Sequence, residues 1–184
     1  NGLTAITLAE GDALIYVRQT TGSDEVILAT ENGQMIRFFE TDVRPTGRAT
    51  MGVKGITLGD DDAVIGMQLV SDGETVLAVT ENGMGKRTDV SEFSNQKRGG
   101  KGVLYYKITS KTGKVVSFMT INAEQEIMLI TSAGVVIRLR VSDIRMIGRV
   151  TSGVKLITLD EDVKIISVAD IREAESVSSD SAET

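Results

Sequence analysis

The segment Gly52-Val53-Lys54-Gly55-Ile56-Thr57-Leu58 has a near copy in Gly153-Val154-Lys155-Leu156-Ile157-Thr158-Leu159. A third copy, with one inserted residue, is formed by residues 102–109, and a shorter one by residues 4–8. The glycines at positions 52, 102 and 153 are therefore 50 and 51 residues apart. A fixed period of this length is typical of repeat architectures, in which each unit buries its apolar face against a neighbour.

A second set of landmarks recurs at the same step: Thr30-Glu31-Asn32-Gly33, Thr80-Glu81-Asn82-Gly83 and Thr131-Ser132-Ala133-Gly134. Each lies between two runs of alternating apolar residues. Asn-Gly in such a place is a strong hairpin signal, and it predicts a type I′ turn with positive φ at both central residues. The flanking runs predict strands over residues 25–30, 34–39, 75–80, 84–88, 126–131 and 135–140.

Two more strands are expected in each unit, for example over residues 52–58 and 63–69, and no amphipathic helix is evident. About four strands in each repeat of about 50 residues predict an all-β, propeller-like array of antiparallel blades. The alternative is a β-sandwich or barrel with coincidental internal similarity. We expect the array to cover residues 1–171, with units at about 1–47, 48–97 and 98–147, a half unit at 148–171, and an acidic disordered tail at 172–184.

The chain of 184 residues has no cysteine and no histidine. This composition excludes disulfides and thiolate metal sites, and it removes both the commonest general base and the commonest metal ligand. No apolar run approaches the roughly 20 residues of a membrane span. We therefore expect no catalytic residue, no metal site and no cofactor in this chain, and a cytoplasmic location.

The net charge of −6 argues at first against a nucleic-acid partner, but the charges are unevenly distributed. Acidic residues cluster in Asp60-Asp61-Asp62, in Asp160-Glu161-Asp162 and in the tail. Three adjacent acids in a simple turn cannot all face one ion, so we interpret the two clusters as solvated turns. Binding responds to the local field of a surface, and the position of the basic residues within the repeat is therefore more informative.

Basic residues recur at fixed phases of the repeat. Arg37, Arg87 and Arg138 are equivalent to one another, as are Arg48, Arg98 and Arg149, and further cations lie nearby at Lys86, Arg140 and Arg145. Because a repeating array converts phase into direction, these residues predict a basic outer strip that binds the phosphate backbone of duplex DNA without reading bases. The alternative is that the strip is ordinary surface of a propeller that binds protein or peptide.

The densest basic segment is Gln96-Lys97-Arg98-Gly99-Gly100-Lys101-Gly102. Its glycines allow backbone N–H groups to approach a phosphate closely, and its three cations attract one. A superficial phosphate loop at Gly83-Met84-Gly85-Lys86 has the wrong spacing, and Arg87 stands where a Walker A motif needs serine or threonine. An enzymatic function is therefore the weakest interpretation.

Residues 96–102 resemble the glycine-rich box, usually Q-R-R-G-G-K-G, in the C-terminal domain of the A subunit of bacterial DNA gyrase, with Lys97 in place of an arginine. Residues 80–88 and 148–154 are similar to the last blades of that domain, and the resemblance runs from about Gly2 to Ile171. An acidic, serine-rich tail at the place of residues 172–184 is also typical of the family. A related alternative is the C-terminal domain of the A subunit of topoisomerase IV, which usually has no intact box.

The resemblance implies a β-pinwheel, a disc of blades whose basic rim bends and wraps double-stranded DNA. It also implies two protein partners, the rest of the gyrase A protein and the ATP-binding B subunit, in a type II topoisomerase that introduces negative supercoils near the nucleoid. The catalytic tyrosine of that enzyme lies outside the segment that resembles this chain. Tyr16, Tyr105 and Tyr106 are accordingly interpreted as packing or surface residues.

Overall fold

The computed structural model describes residues 2–171, and the predicted acidic tail lies outside them. The described residues contain eleven strands, four short 3-10 turns and no α-helix. The strands are β1 (Glu25–Thr30), β2 (Gln34–Phe39), β3 (Val64–Leu69), β4 (Thr75–Thr80), β5 (Met84–Asp89), β6 (Val103–Leu104), β7 (Val115–Ile121), β8 (Glu126–Thr131), β9 (Val136–Arg140), β10 (Val154–Lys155) and β11 (Ile165–Asp170). The all-β prediction and the hairpin strands are confirmed, with bounds that differ by one residue at most.

The strands form three antiparallel sheets. Sheet I has the order β3-β1-β2-β6, sheet II the order β7-β4-β5-β10, and sheet III the order β11-β8-β9. At the inner side of the array, β7 packs against both β3 and β11. The two-residue strands β6 and β10 form the outer edges of sheets I and II.

Each sheet is assembled from distant parts of the sequence. In sheets I and II a hairpin supplies the two central strands, the inner strand comes from the segment that precedes the next hairpin, and the outer strand comes from beyond that hairpin, whereas sheet III consists of a hairpin and the inner strand β11. The four strands predicted within one sequence unit are consequently distributed over successive sheets. This exchange ties neighbouring sheets together covalently, because the chain passes from one to the next and back.

The predicted strand over residues 52–58 is absent, and its equivalents are only the two-residue strands β6 and β10. These short strands pair with β2 and β5 respectively. The chain then bends to cap a hairpin, since the amides of Tyr105 and Tyr106 both donate to the carbonyl oxygen of Gly33, 2.8 and 3.3 Å away. The apolar alternation of residues 52–58 therefore reflects packing beside a hairpin turn rather than a long strand.

The hairpin loops have three residues and are not type I′ turns. In the first, the amide of Gly33 donates to the carbonyl oxygen of Thr30, and only Gly33 has positive φ (86°), whereas Asn32 does not. This is a type I turn followed by one left-handed residue, for which glycine is suited. Because only the last position needs positive φ, Ala133 can replace asparagine in the third loop.

The core lies between the sheets. Ile27, Ala29 and Met35 of sheet I pack against Val76 and Ala78 of sheet II, and a second cluster joins sheets II and III. Tyr105 and Tyr106 are buried in the first cluster, in agreement with their predicted packing role, and Tyr16 donates a hydrogen bond to the carbonyl oxygen of Ile65. The strands of sheet II have apolar residues on both faces and are stable because a neighbouring sheet covers each face.

Candidate nucleic-acid interface

The box segment, residues 96–102, forms the loop that precedes the outer strand of sheet I. Gly102, at the end of this loop, has φ of +74°, and a Cβ at this position would overlap the carbonyl oxygen of Met35. Gly153 ends the equivalent loop of sheet II with φ of +72° and similar contact to Gly85. The glycine that marks the repeat is thus required where an outer loop passes close to the hairpin.

Within the box loop, the backbone is fixed and two lysines remain free at the surface. The amide of Gln96 donates to the carbonyl oxygen of Arg37, and the amide of Gly99 donates to the carbonyl oxygen of Gly55, each over 2.7 Å. Lys97 and Lys101 are exposed. The loop therefore presents two ammonium groups from a well-tied backbone at the outer edge of the sheet.

Arg98 has a different role from its two lysine neighbours. Its Nε donates to the carbonyl oxygen of Asp42 over 3.1 Å, and its guanidinium also donates to that of Lys54. The equivalent Arg149 donates to the carbonyl oxygen of Leu104 over 3.1 Å. These half-buried arginines fasten their loops to the adjacent backbone, while Arg48, the third member of the set, is exposed.

The second recurring set of arginines mainly joins neighbouring sheets. Arg37 contacts the carbonyl oxygens of Val90 and Phe93, 3.2 and 3.0 Å away, and pairs with Glu25. The hydrogen bond from Arg37 holds the pKa of Glu25 below its ordinary value. Arg87 likewise donates to Ile144 over 2.9 Å and is only 8% exposed.

Lys86 is even more deeply placed, at 1% exposure. The structure therefore gives Lys86, Arg87 and Arg37 internal roles rather than the surface positions that the repeat alignment predicted. The reason is that carbonyl groups near the 3-10 turns and in the outer loop of sheet II need donors, and long cationic side chains supply them. A basic residue that recurs in each repeat can therefore have the same structural role in each sheet, as well as the same surface position.

The remaining predicted cations are exposed. Arg138 pairs with Glu126, and the side chains of Arg138 and Arg140 are 63% and 73% exposed at the end of β9. Arg145 is also exposed. The part of the candidate interface that faces solvent therefore consists of Arg48, Lys97, Lys101, Arg138, Arg140 and Arg145.

Two exposed lysines were missed by the sequence reasoning. Lys155 lies in the outer strand β10, and Lys54 lies at the equivalent position of an earlier repeat, where its carbonyl oxygen accepts from Arg98 of the box loop. Their signal was present in the recurring Gly-Val-Lys triplet at residues 52–54 and 153–155. The triplet marks the repeat, and both of its lysines are exposed in the structure.

The acidic cluster at residues 60–62 lies beside a hairpin turn. A carboxylate oxygen of Asp62 accepts from the amides of Asn32 and Ala63, 3.0 and 2.9 Å away. Arg138 and Arg140, by contrast, follow the strand away from its hairpin turn. In residues 2–171 no group of three or more acidic side chains is arranged to hold a metal ion, and no helix there is long and apolar enough to cross a membrane.

Comparison with known proteins agrees with this architecture. The family model "DNA gyrase C-terminal domain, beta-propeller" matches residues 1–21, 24–71, 74–122 and 125–172. These segments are about half a repeat out of phase with the predicted units, since a periodic chain can be divided at any point. Each matched segment from residue 24 onward begins with a hairpin and ends with the inner strand that joins it.

Individual relatives support the same assignment. The chain is 54% identical over 176 residues to the A subunit of DNA gyrase from Clostridium acetobutylicum, covering 96% of this chain and 21% of that protein. Among solved structures, a DNA gyrase A C-terminal domain matches with TM-score 0.80 and 28% identity over 92% of this chain and 58% of its own. A topoisomerase IV C-terminal domain matches with TM-score 0.84 and 28% identity over 91% of this chain and 53% of its own.

The chain spans about a fifth of the length of the curated relatives that it matches. The interlocked sheets, the glycine-ended outer loops and the sequence matches over nearly all the chain agree with one another. The chain belongs to the DNA gyrase C-terminal domain family.

Proposed function

We propose that this chain binds the phosphate backbone of double-stranded DNA along the outer edge of its sheets and bends it there. The observation that supports this proposal most directly is the pair of exposed lysines, Lys97 and Lys101, on the tied box loop. Lys54, beside the box loop, and Lys155, in the outer strand β10, add further exposed positive charge. Such contacts need no base recognition, because charge and counterion release supply the affinity.

In the longer protein, bending would serve the topoisomerase reaction of gyrase. A DNA segment curved around a basic edge acquires a defined path, and the contacts made possible by the bend offset its elastic cost of roughly 1–6 kcal/mol. The remainder of the gyrase A protein, together with the ATP-binding B subunit, would supply strand passage. Of the two related enzymes, gyrase is favoured by the box and by the curated relative named above.

The first test measures binding of the chain to duplex DNA at several salt concentrations, with fluorescence anisotropy as the readout. The variant Lys97→Ala/Lys101→Ala is compared with Lys111→Ala/Lys114→Ala, which removes the same charge beside the hairpin turns. Each lost phosphate contact is expected to reduce the slope of log K against log salt by about 0.9. For the box variant we expect the slope to fall by the equivalent of roughly one to two phosphate contacts, and for the control variant we expect little change in the slope.

Equal losses in both variants would mean that only net charge matters, and no DNA affinity in the parent chain would favour the protein-binding alternative. Bending is measured separately by ligating nicked circular DNA with increasing amounts of the chain and reading the linking number after protein removal. A shift that grows with protein and disappears in the box variant supports chiral wrapping. Binding without a shift would restrict the proposal to a basic edge that holds DNA.

A further inference from the structure

Lys86 occupies an interior position of sheet II at which the other sheets have isoleucine. The equivalent residues are Ile36 in sheet I, which is fully buried, and Ile137 in sheet III. Burying an ammonium group is costly unless it is hydrogen-bonded. A lysine at this position therefore needs a compensating set of acceptors.

One loop provides all of these acceptors. The Lys86 Nζ donates to the carbonyl oxygens of Gly148 and Arg149, over 2.9 and 2.6 Å, and to the Thr151 hydroxyl over 3.0 Å. Three acceptors match the three hydrogens of an ammonium group. The Nζ also lies 5.2 Å from the centre of the Tyr106 ring, a favourable position for a cation.

The same loop is held at a second point by an acidic side chain. The Glu92 carboxylate accepts from the amide of Arg149 over 3.0 Å. A cation thus binds two carbonyl oxygens and one hydroxyl of the loop at residues 148–151, and an anion binds one of the loop's amides. Arg149 itself continues outward and reaches the carbonyl oxygen of Leu104.

We propose that Lys86 is a positioning residue whose ammonium group fixes the outer loop of sheet II, residues 148–151, in the arrangement that meets DNA. The proposal rests on the proposed function for its consequence, but the anchoring of the loop can be measured without DNA. Lys86 acts through the loop backbone and makes no contact with DNA.

The anchor is sensitive to pH. The charged or titratable groups facing Lys86 are Glu92, Tyr106 and Arg149. Burial lowers the pKa of Lys86 to about 8, while the Glu92 charge opposes that decrease. Burial raises the pKa of Tyr106, so the phenol stays neutral as Lys86 titrates. A neutral amine has only two hydrogens for three acceptors, and the loop is expected to loosen above this pH.

The test is an NMR titration of the methyl groups of Val150 and Thr151 from about pH 6.5 to 9.5, across the Lys86 transition. Methyl signals do not exchange with water and remain visible at high pH. We expect a transition near pH 8 in the parent chain and none in Lys86→Met, which keeps the length of the side chain and removes its charge. The Thr57 methyl, beside the box loop, is the internal control and should not shift.

A second variant, Glu92→Gln, separates anchoring from a general loss of structure. Because the Glu92 charge supports the protonated amine, its removal should move the transition to lower pH while a transition remains. No loop transition in the parent chain, or an unchanged transition in Lys86→Met, would overturn the proposal. Thermal unfolding of each variant verifies that it is folded.

The consequence for DNA is measured by affinity at about pH 7 and pH 9, on either side of the transition. The parent chain should lose about threefold more affinity than Lys86→Met between these values. Identical pH profiles would overturn the role of the anchor in DNA contact. If neither chain binds DNA, the proposed function fails, whereas the methyl titration still decides whether Lys86 anchors the loop.

Discussion

Sheets I and II share one strand order and one path for their outer loops, yet only the loop of sheet II also has a lysine beneath it. The box loop of sheet I lies over Ile36 and is held from the adjacent segment, where the Thr57 hydroxyl donates to Gly99 over 2.7 Å and the Thr57 amide donates to Gly100 over 2.8 Å. The loop of sheet II is likewise held from its adjacent segment, where the Lys107 amide donates to the carbonyl oxygen of Thr151 over 3.0 Å, and it is held in addition from beneath by Lys86.

The difference decides which charges reach the surface. Residues Gly148 and Ser152 of sheet II occupy the places of Lys97 and Lys101 in sheet I. The ammonium group near the second loop is therefore that of the buried Lys86, beneath the loop, and not one on its exposed side. Two loops with the same backbone path thus differ in charge: sheet I has two exposed lysines at its loop, and sheet II has one buried lysine. We expect sheet I to contribute more to DNA affinity than sheet II.

Replacement of the glycine that ends an outer loop, Gly102 in sheet I or Gly153 in sheet II, should have the largest effect on stability. Gly102→Ala is expected to lower the free energy of unfolding by roughly 3 kcal/mol, because strained backbone costs about 1–2 kcal/mol and the Cβ displaces Met35 as well. Chemical denaturation measures the loss. Gly99→Ala, also at positive φ but with its nearest contact at 3.4 Å, is the control and should lose clearly less.

The second effect concerns the arginine that joins sheets II and III. Arg87→Ala should cost about 2 kcal/mol, because it leaves the buried carbonyl group of Ile144 without its donor. Arg138→Ala is the matched control, and its exposed pair with Glu126 is expected to contribute less than about 1 kcal/mol. Thermal and chemical unfolding measure the stability of both variants. If the two variants lost the same free energy of unfolding, the buried contacts of Arg87 would contribute no more than the exposed pair of Arg138.

The third effect is a pH dependence specific to sheet II. Above pH 8 the folded chain releases the Lys86 proton, while the unfolded chain keeps it to about pH 10.5, so the unfolded state binds more protons. The free energy of unfolding should therefore gain about 1.5 kcal/mol from this group between about pH 8 and 9.5, and lose it as pH falls. Denaturation curves of the parent chain and Lys86→Met at each pH isolate the contribution, and equal slopes would contradict it.

The smallest effect is specific to sheet I. Thr57→Val removes the hydroxyl that donates to Gly99, at an expected cost of about 1 kcal/mol. Hydrogen exchange should become faster in the box loop and remain unchanged in residues 148–151. Thr158→Val provides a control at the equivalent repeat position. Faster exchange in both loops would mean that the two are not fastened independently.

The sequence alone was sufficient for the fold class, the repeat period and the hairpin strands. Alternating apolar residues report which positions face a core, and they do so locally. It also located the box loop, since three cations and three glycines are adjacent in residues 96–102. The turn type was missed, because Asn-Gly is compatible with more than one hairpin geometry.

The tertiary structure decided which strands share a sheet and which cations face solvent. Strand β6 joins a hairpin that ended more than sixty residues earlier, and no local pattern encodes that partner. Lys86, Lys97 and Lys101 are chemically alike in sequence, but only the arrangement of carbonyl groups around the first makes it internal. Local composition determines the strands and the total charge, whereas the direction of each charge depends on hydrogen-bond partners that folding brings from distant segments.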